Sequence, residues 1–248
     1  MPTDPTTSPI TTELNERVAT ITINRTHRRN ALDLTSLNLL HDAVVAAHEG
    51  GARAIILTGA GGHFCAGADL TELEDVSFTE RLAVVLDHLA TLPITTIAAI
   101  SGSCMGLGMQ LAVACDLRVV ADDARFAVPV AKLGLMVDAW TVDRVIRFFG
   151  EGAARLMVLT AEVLDAEDAW RLGFAQRRGG LDVAQSLAAQ AVPLAPLSQS
   201  GSKIGFDIPA GGDHGPYVEA FHRAWASEDL AEGQRAFGER RQPVFQGR

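Results

Sequence analysis

The feature that most constrains this chain is a unit that occurs twice: a short apolar run, a glycine-rich turn and a helix. The first apolar run, residues 53–58 (RAIILT), is followed by GAGGHFCAGADL. The second, residues 94–100 (ITTIAAI), is followed by SGSCMGLG and then by the helical pattern MQLAVACD. Short, nearly continuous apolar runs are typical of strands buried on both faces of a sheet. The two units therefore predict βαβ-like crossovers and a layered α/β core.

The other hydrophobic patterns extend this α/β plan along the chain. Residues 17–24 (RVATITIN) alternate β-branched side chains, which is typical of a strand. Asp33 precedes an amphipathic helix, and Gly50 and Gly51 end that helix. Further predicted elements are a helix over 79–92 stopped by Pro93, a strand over 117–120, a helix over 165–173 and mainly helix from about residue 141 onward.

These patterns divide the chain into three regions. Residues 1–12 are rich in Thr and Pro and lack the features of a signal peptide, so we expect a disordered tail. Residues 13–195 are predicted to form the α/β core. Residues 196–248 contain no convincing strand pattern and are predicted to be a helical region. Its apolar side chains suit either a subunit interface or packing within one chain.

Charge and composition exclude several classes of protein. The net charge is −9, which argues against a nucleic-acid partner because phosphate contacts need a basic face. No apolar run reaches the roughly 18 residues of a membrane span. The cysteines Cys65, Cys104 and Cys115 form no CxxC pair, so no metal site is predicted and a reduced, cytoplasmic setting fits best.

The glycine turns themselves predict exposed backbone N–H groups at a helix start, where the helix dipole adds partial positive charge. A nucleotide phosphate, a dinucleotide pyrophosphate or a developing oxyanion would suit such a turn. No GxxxxGK[ST] motif occurs, the GLG turn lacks the third glycine of a dinucleotide fingerprint, and no GxSxG elbow is present. Tight packing of the backbone remains the alternative to a ligand site.

Four motifs, in order and at matching spacing, resemble the crotonase (enoyl-CoA hydratase/isomerase) superfamily. They are NRTHRRNALD, HFCAGADL, ISGSCMGLGMQLAVACDLRVV and SEDLAEGQRAFGERRQPVFQ. The resemblance implies a crotonase fold, which is a spiral of ββα units with a C-terminal helical trimerisation region. It also implies a homotrimer or dimer of trimers that binds fatty acyl-CoA or enoyl-CoA, with coenzyme A as part of the ligand and no separate cofactor.

The resemblance carries over to individual positions. Ala68 and Leu107 match the two backbone donors of the family's oxyanion hole. Family members usually have glycine at the second position, so the Leu107 side chain must point away or narrow the pocket. The positions that match the coenzyme A site are Arg28, Arg29, Ala31, Leu32, Ala66, Gly67, Asp69 and Leu70. For Arg28 and Arg29, a solvated surface charge is the alternative.

Two substitutions fall where the resemblance places the hydratase glutamates. Gln110 stands at the first position and Val130 at the second. A neutral amide cannot take up a proton near pH 7, and valine offers no polar group. Because each positioned acid or base contributes roughly 10²–10⁴ to the rate, we expect a poor or inactive hydratase that serves as an acyl-CoA binder or carrier in fatty acid metabolism.

An acid and a bulky side chain follow these positions. Asp138 matches an aspartate that moves a proton in some family isomerases, which leaves an isomerase or a weak hydratase as alternatives. Asp138 also directly precedes a predicted helix and could be its N-cap. Trp140 is predicted, with Gln110 and Val130, to line the acyl pocket. Trp140 and the loop over residues 71–78 are the candidates for setting acyl length.

Overall fold

The computed structural model describes residues 8–71, 77–209 and 211–248. Strands and helices alternate along the first two thirds of the chain, and helices follow. The strands are β1 (Ile10–Asn15), β2 (Val18–Ile23), β3 (Ala54–Gly59), β4 (Thr95–Ile100), β5 (Ser103–Met105), β6 (Leu117–Val120), β7 (Arg125–Ala127), β8 (Leu164–Asp165) and β9 (Arg177–Arg178). The α-helices are α1 (Leu34–Glu49), α2 (Ser77–Thr91), α3 (Leu107–Ala114), α4 (Ala139–Phe149), α5 (Glu151–Thr160), α6 (Ala166–Arg171), α7 (Leu181–Ala191), α8 (Pro196–Asp207), α9 (Gly215–Trp225) and α10 (Glu228–Glu239).

Two sheets organise the α/β part. A six-stranded sheet has the order β1-β2-β3-β4-β6-β9, and β5, β7 and β8 form a three-stranded sheet. In the larger sheet only β1 and β2 are antiparallel, and the other neighbours are parallel. The first five residues of β3 are buried, as expected for a central strand covered on both faces. The predicted layered α/β core is therefore confirmed.

The predicted ends of several elements are also confirmed. Asp33 caps α1, because its side chain accepts the N–H of Ser36 at 2.7 Å. Gly50 follows the last residue of α1. Asp165 caps α6 through a capping box with Asp168, where the sequence shows an acidic start.

Three local predictions differ from the structure. β1 begins at Ile10, so the predicted tail over residues 1–12 is wrong for its last three residues, which pair with β2. Residues 1–7 of that tail lie outside the described residues. The turn predicted over residues 101–108 contains β5, which pairs with β7. α3 begins at Leu107, two residues before the predicted start, and this difference brings Leu107 to the first helical position.

The helix α3 lies at the centre of the molecule. All eight of its residues are buried, which agrees with its apolar composition on every face. Its N-terminus follows β5, and its C-terminal part packs toward α4, where Arg144 Nη1 donates to the carbonyl oxygen of Val113 at 3.2 Å. A helix in this position presents only its N-terminal N–H groups and a few side chains to a ligand.

The helices α8 to α10 form the C-terminal part, and within the described residues no strand lies beyond residue 195. α8 begins at Pro196, at the predicted boundary of the helical region. Its last residue, Asp207, is paired with Arg144 and Arg147 of α4. Phe206, Trp225 and Phe237 remain largely exposed on these helices, and Phe237 is 88% exposed. No helix in the described ranges is long and apolar enough to cross a membrane.

Candidate active site

Two backbone turns lie side by side at the start of α3. We call residues 65–69 and 103–108 the paired turns. Cys65 and Cys104 form a short parallel bridge, in which the N–H of Cys65 donates to Ser103 O at 2.9 Å and the N–H of Met105 donates to Cys65 O at 3.0 Å. Ala68 and Leu107 each come three residues after this bridge. Ala68 and Leu107 directly follow Gly67 and Gly106, the two glycines at which the turns come into contact.

Glycine makes this close approach possible. Gly67 and Gly106 have φ values of 124° and 52°, a region that L-residues with a side chain rarely adopt. A Cβ on Gly106 would lie 4.0 Å from the Gly67 Cα, so the two turns are in contact. Gly108 is still more constrained, because its Cβ would lie 2.2 Å from Cys65 O. Gly108 is therefore required by packing, whereas Gly67 and Gly106 are required by their backbone conformation.

The N–H groups of Ala68 and Leu107 have no hydrogen-bond partner within the part of the chain that is described. One neighbouring N–H on each turn is paired: that of Asp69 donates to Leu32 O at 2.8 Å, and that of Gly106 donates to Ala127 O at 3.0 Å. Leu107 is the first residue of α3, where N–H groups point beyond the helix end and the helix dipole is positive. The Leu107 side chain is 3% exposed and packs in the main core, so it does not obstruct the turn.

Gln110 and Asp138, which are 28 residues apart in sequence, meet near the start of α3. Gln110 Nε2 donates to Thr141 Oγ1 at 2.8 Å and to Asp138 Oδ2 at 3.3 Å. Asp138 is the N-cap of α4, since its Oδ1 accepts the N–H of Thr141 at 2.9 Å. Thr141 Oγ1 also donates to Asp138 Oδ2 at 2.8 Å. The structural alternative for Asp138 is thus confirmed, and the same carboxylate contacts a predicted site residue.

Val130 lies in a 3₁₀ helix over Pro129–Leu133 and is half-buried against the main core. β7 brings this segment close to the paired turns, because Ala127 O accepts the N–H of Gly106. The side chain of Val130 is apolar, so this position supplies no acid or base. The residues that follow are open to solvent, and Met136 is 89% exposed.

A buried arginine that the motif comparison missed supports the paired turns. Arg25 Nη2 lies 2.7 Å from Asp33 Oδ2 and 3.3 Å from Asp69 Oδ2, and Arg25 Nη1 donates to Ala31 O. Asp69 is only 5% exposed. The hydroxyl of Thr71, at 2.8 Å, lowers the pKa of Asp69 most; nearby Arg28 and Arg25 lower it further, whereas burial opposes them. Arg25 comes two residues after the end of β2, and its position just beyond a strand is the signal that could have identified it.

The predicted coenzyme A residues divide by exposure. The side chains of Leu32 and Asp69 are buried, so neither offers surface to a ligand. Arg28 is half-exposed, with Nε 3.8 Å from Asp69 Oδ2. Gly67 is buried as well. The other four positions are exposed or partly exposed, and they are Arg29, Ala31, Ala66 and Leu70. Backbone hydrogen bonds connect this set, since Leu32 N–H donates to Gly67 O and Ala66 N–H to Arg29 O.

Trp140 is held by a cation from its own helix. The guanidinium carbon of Arg144 lies 4.6 Å from the centre of a Trp140 ring, and Arg144 Nη2 is 2.9 Å from Asp207 Oδ2. The indole is partly buried against the main core, next to the Thr141 that contacts Gln110. Of the loop over 71–78, which together with Trp140 was predicted to set acyl length, residues 72–76 lie outside the described residues.

The cysteines and His63 have structural surroundings. Cys65, Cys104 and Cys115 are free and buried, and burial raises the pKa of the Cys65 thiol to about 12. His63 Nδ1 accepts the N–H of Ser103 at 3.1 Å and so joins the first turn to β5. Within the described ranges, no group of three or more His, Cys, Asp or Glu side chains could hold a metal ion.

Known proteins resemble this chain over nearly its whole length. Residues 13–192 match the family model of enoyl-CoA hydratase/isomerase. A protein of Mycobacterium tuberculosis named probable enoyl-CoA hydratase echA6 is 43% identical over 235 residues, which is 94% of this chain and 97% of that protein. The (E)-benzylidenesuccinyl-CoA hydratase of Thauera aromatica is 33% identical over 260 residues, covering 96% and 99%. A crystal structure of an enoyl-CoA hydratase/isomerase family protein from Hyphomonas neptunium superposes with a TM-score of 0.90 at 30% identity, covering 97% and 98%.

Proposed function

The chain belongs to the enoyl-CoA hydratase/isomerase family and has the crotonase fold, and we propose that it binds fatty acyl-CoA thioesters while hydrating enoyl-CoA poorly or not at all. The observation that carries the proposal is that the N–H groups of Ala68 and Leu107, in two turns that touch at the start of α3, have no hydrogen-bond partner among the described residues. Two converging N–H donors at a helix N-terminus suit the carbonyl oxygen of a thioester. Arg28, Arg29 and the half-exposed residues around them would meet the coenzyme A portion.

The lack of hydration follows from side-chain chemistry. Addition of water to an enoyl thioester needs one group that activates the water and one that delivers a proton to the α-carbon. Gln110 and Val130 occupy the two glutamate positions, and neither transfers protons near neutral pH. The protein would then act as an acyl-CoA binder or carrier in fatty acid metabolism, without a separate cofactor.

The test is calorimetric titration with acyl-CoAs of increasing chain length, run beside a hydratase assay on the matching enoyl-CoAs. We expect saturable binding and no hydration above a blank. Ala68→Pro removes one N–H donor and should abolish binding. Leu181→Pro is the matched control, because Leu181 is the exposed first residue of α7, a position where proline is tolerated. Absence of saturable binding at every chain length would refute the proposal.

A second candidate is an enoyl-CoA isomerase, or a weak hydratase, that uses Asp138 as its acid or base. The observation in its favour is that the Asp138 carboxylate lies 3.3 Å from Gln110 Nε2, inside the candidate site. Incubation of enoyl-CoA isomers in heavy water reports deuteration at the α- and γ-carbons. Faster exchange in the wild type than in Asp138→Asn supports this candidate, and equally slow exchange in both rejects it.

Self-association as a homotrimer or dimer of trimers belongs to the same proposal. The support is the exposure of Phe206, Trp225 and Phe237 on the C-terminal helices, since large apolar patches usually mark contact sites. Sedimentation velocity at decreasing concentration should show a trimer or hexamer, and a monomer at all concentrations would contradict it. A cytoplasmic location, suggested by three free cysteines, is tested by cell fractionation.

A further inference from the structure

The two hydrogens of the Gln110 side-chain amide are both used inside the protein. One is donated to Thr141 Oγ1 at 2.8 Å and the other to Asp138 Oδ2 at 3.3 Å. An amide nitrogen carries only two hydrogens, so Gln110 has no donor left for a ligand. Gln110 is 7% exposed and Thr141 is fully buried, whereas Asp138 is exposed at the edge of the arrangement.

The partners of Gln110 determine which end of its amide faces them. An ionised Asp138 carboxylate only accepts hydrogen bonds, so the amide nitrogen must lie on its side. Thr141 donates its own hydroxyl hydrogen to Asp138 Oδ2 and is left as an acceptor for Gln110. The opposite amide orientation would set the Gln110 oxygen against the Asp138 carboxylate oxygen and leave the Thr141 acceptor unpaired. The capping geometry at the start of α4 therefore fixes the orientation of a side chain on α3.

The free end of the amide is its oxygen. Gln110 Oε1 has no hydrogen-bond partner among the described residues, and it is not one of the atoms sealed from solvent. Helical side chains lean toward the helix N-terminus, so Gln110 extends back toward the N–H of Leu107, three residues earlier. A thioester whose carbonyl oxygen is held there would bring its first carbons beside Gln110 Oε1.

We propose that Asp138 and Thr141 are positioning residues that aim the Gln110 carbonyl oxygen into the site, and that the site selects acyl-CoA thioesters with a hydrogen-bond donor on the β-carbon. A 3-hydroxyl group is the simplest such donor. Saturated and 2-enoyl chains have none and leave a nearly buried acceptor unpaired, which is unfavourable. This inference rests on the proposed binding of acyl-CoA thioesters.

The experiment compares ligands that differ in one hydroxyl. A saturated acyl-CoA and the two enantiomers of its 3-hydroxy derivative, all of one chain length, are titrated into the full-length protein. We expect one enantiomer to bind about five- to tenfold more tightly than the saturated ligand, which is the usual contribution of one hydrogen bond to a buried neutral acceptor. Equal affinity for all three ligands would overturn the proposal.

Variants separate the acceptor from the residues that position it. Gln110→Met removes the acceptor at similar volume and should bring the ratio of the affinities for the 3-hydroxy and saturated ligands to about one. Asp138→Ala and Thr141→Val should reduce the preference in the same way. Asp165→Ala, which removes the N-cap of α6, is the matched control for loss of a cap and should keep the preference.

The outcomes distinguish failure of this inference from failure of the proposed acyl-CoA binding. If saturated and 3-hydroxy ligands both bind but without a preference, only the role of Gln110 is refuted. A preference that survives in Gln110→Met also refutes that role. If none of the ligands binds, the proposed acyl-CoA site is refuted and this inference fails with it.

Discussion

The paired turns and residues 130–141 both contribute to the candidate site, but they differ in what a substitution changes. In the paired turns the useful groups are backbone N–H donors, and their positions depend on glycines and on strand pairing. In residues 130–141 the useful groups are side chains, and the structure around them is largely exposed. A leucine at position 107 therefore leaves the turn intact, whereas valine at position 130 removes any acid–base group.

Under the proposed function, this difference lets the fold hold a thioester without acid–base groups at positions 110 and 130. Backbone N–H groups are present in every residue except proline, so many side chains are compatible with the turn as long as they point into the core. Proton transfer depends on the identity of a single functional group. Substitutions in the paired turns and in residues 130–141 should therefore have different consequences. The following experiments test how large that difference is.

The largest effect is expected for Gly108→Ala in the paired turns. Its Cβ would lie 2.2 Å from Cys65 O, so the two turns must separate or the chain must distort. We expect a loss of about 3–5 kcal/mol in the free energy of unfolding, or failure to fold. Gly152→Ala in α5 is the matched control, because nothing lies within 4 Å of its Cβ and it should stabilise by up to about 1 kcal/mol. Denaturant unfolding measures the free energy of unfolding of both variants. Similar values for Gly108→Ala and Gly152→Ala would show that the paired turns do not depend on a glycine at position 108.

The next effect concerns the support beneath the paired turns. Arg25→Ala leaves the buried carboxylates of Asp33 and Asp69 without their cation and should cost about 3 kcal/mol at pH 7. Arg155→Ala, which breaks the exposed pair with Glu151, should cost no more than about 0.5 kcal/mol.

The pH dependence of Arg25→Ala has a definite sign. The pKa of Asp69 is lowered in the folded protein, so its favourable interactions are complete above its ordinary pKa of 3.8 and are lost as the pH falls below that value. The difference in unfolding free energy between wild type and Arg25→Ala should therefore shrink under acid conditions. A difference independent of pH would show that Asp69 is not part of the support.

A smaller effect is expected from Gln110→Glu, which returns a carboxylate to the first glutamate position. The new carboxylate would face Asp138, the residue that now lies 3.3 Å from the amide nitrogen. Repulsion should destabilise the variant by about 1–2 kcal/mol at pH 8, and protonation should relieve this at pH 5. Gln110→Met is the uncharged control. Appearance of hydratase activity in Gln110→Glu would break the comparison, since a single side chain would then restore the chemistry.

The smallest effect is acid sensitivity at the contact of α1 and α2. His88 lies with its ring centre 5.0 Å from that of His41. Burial, most strongly, and then the nearby His41 and His48 lower the pKa of His88, while Asp87 opposes them. The neutral form is thus favoured in the folded protein, and stability is lost as the pH falls through the ordinary value of 6.5.

His88→Gln tests this contact. The melting temperature of the wild type should fall between pH 8 and pH 5.5, and the fall should be smaller in His88→Gln. His222→Gln, at an exposed histidine of α9, controls for the loss of one histidine. Identical slopes in wild type and His88→Gln would show that the histidine contact is not acid-sensitive.

Local signals in the sequence were sufficient for the caps and the central strands. Asp33 and the glycines after α1 act within a few residues of themselves, so their effect can be derived from the sequence alone. The short strands β5 and β7 were missed because three residues carry almost no periodic pattern. They are stable only through pairing in the small sheet, in which β7 pairs with both β5 and β8.

Long-range contacts were beyond such reasoning. The motifs named Gln110 and Asp138 separately, but no pattern predicts that one orients the other across 28 residues. Arg25 belongs to the same class, because a charged residue after a strand is ordinarily solvated and only its burial between Asp33 and Asp69 makes it structural.

The sequence by itself determined the glycine turns, the strand–helix order and the absence of carboxylates at positions 110 and 130. These properties depend on backbone freedom and chemical identity, which each residue carries with it. The tertiary structure alone decided that Leu107 points into the core, that Asp138 caps α4 while contacting Gln110, and that Arg25 supports the first turn. These depend on packing between segments distant in sequence, where the partners of a side chain are set by the whole fold.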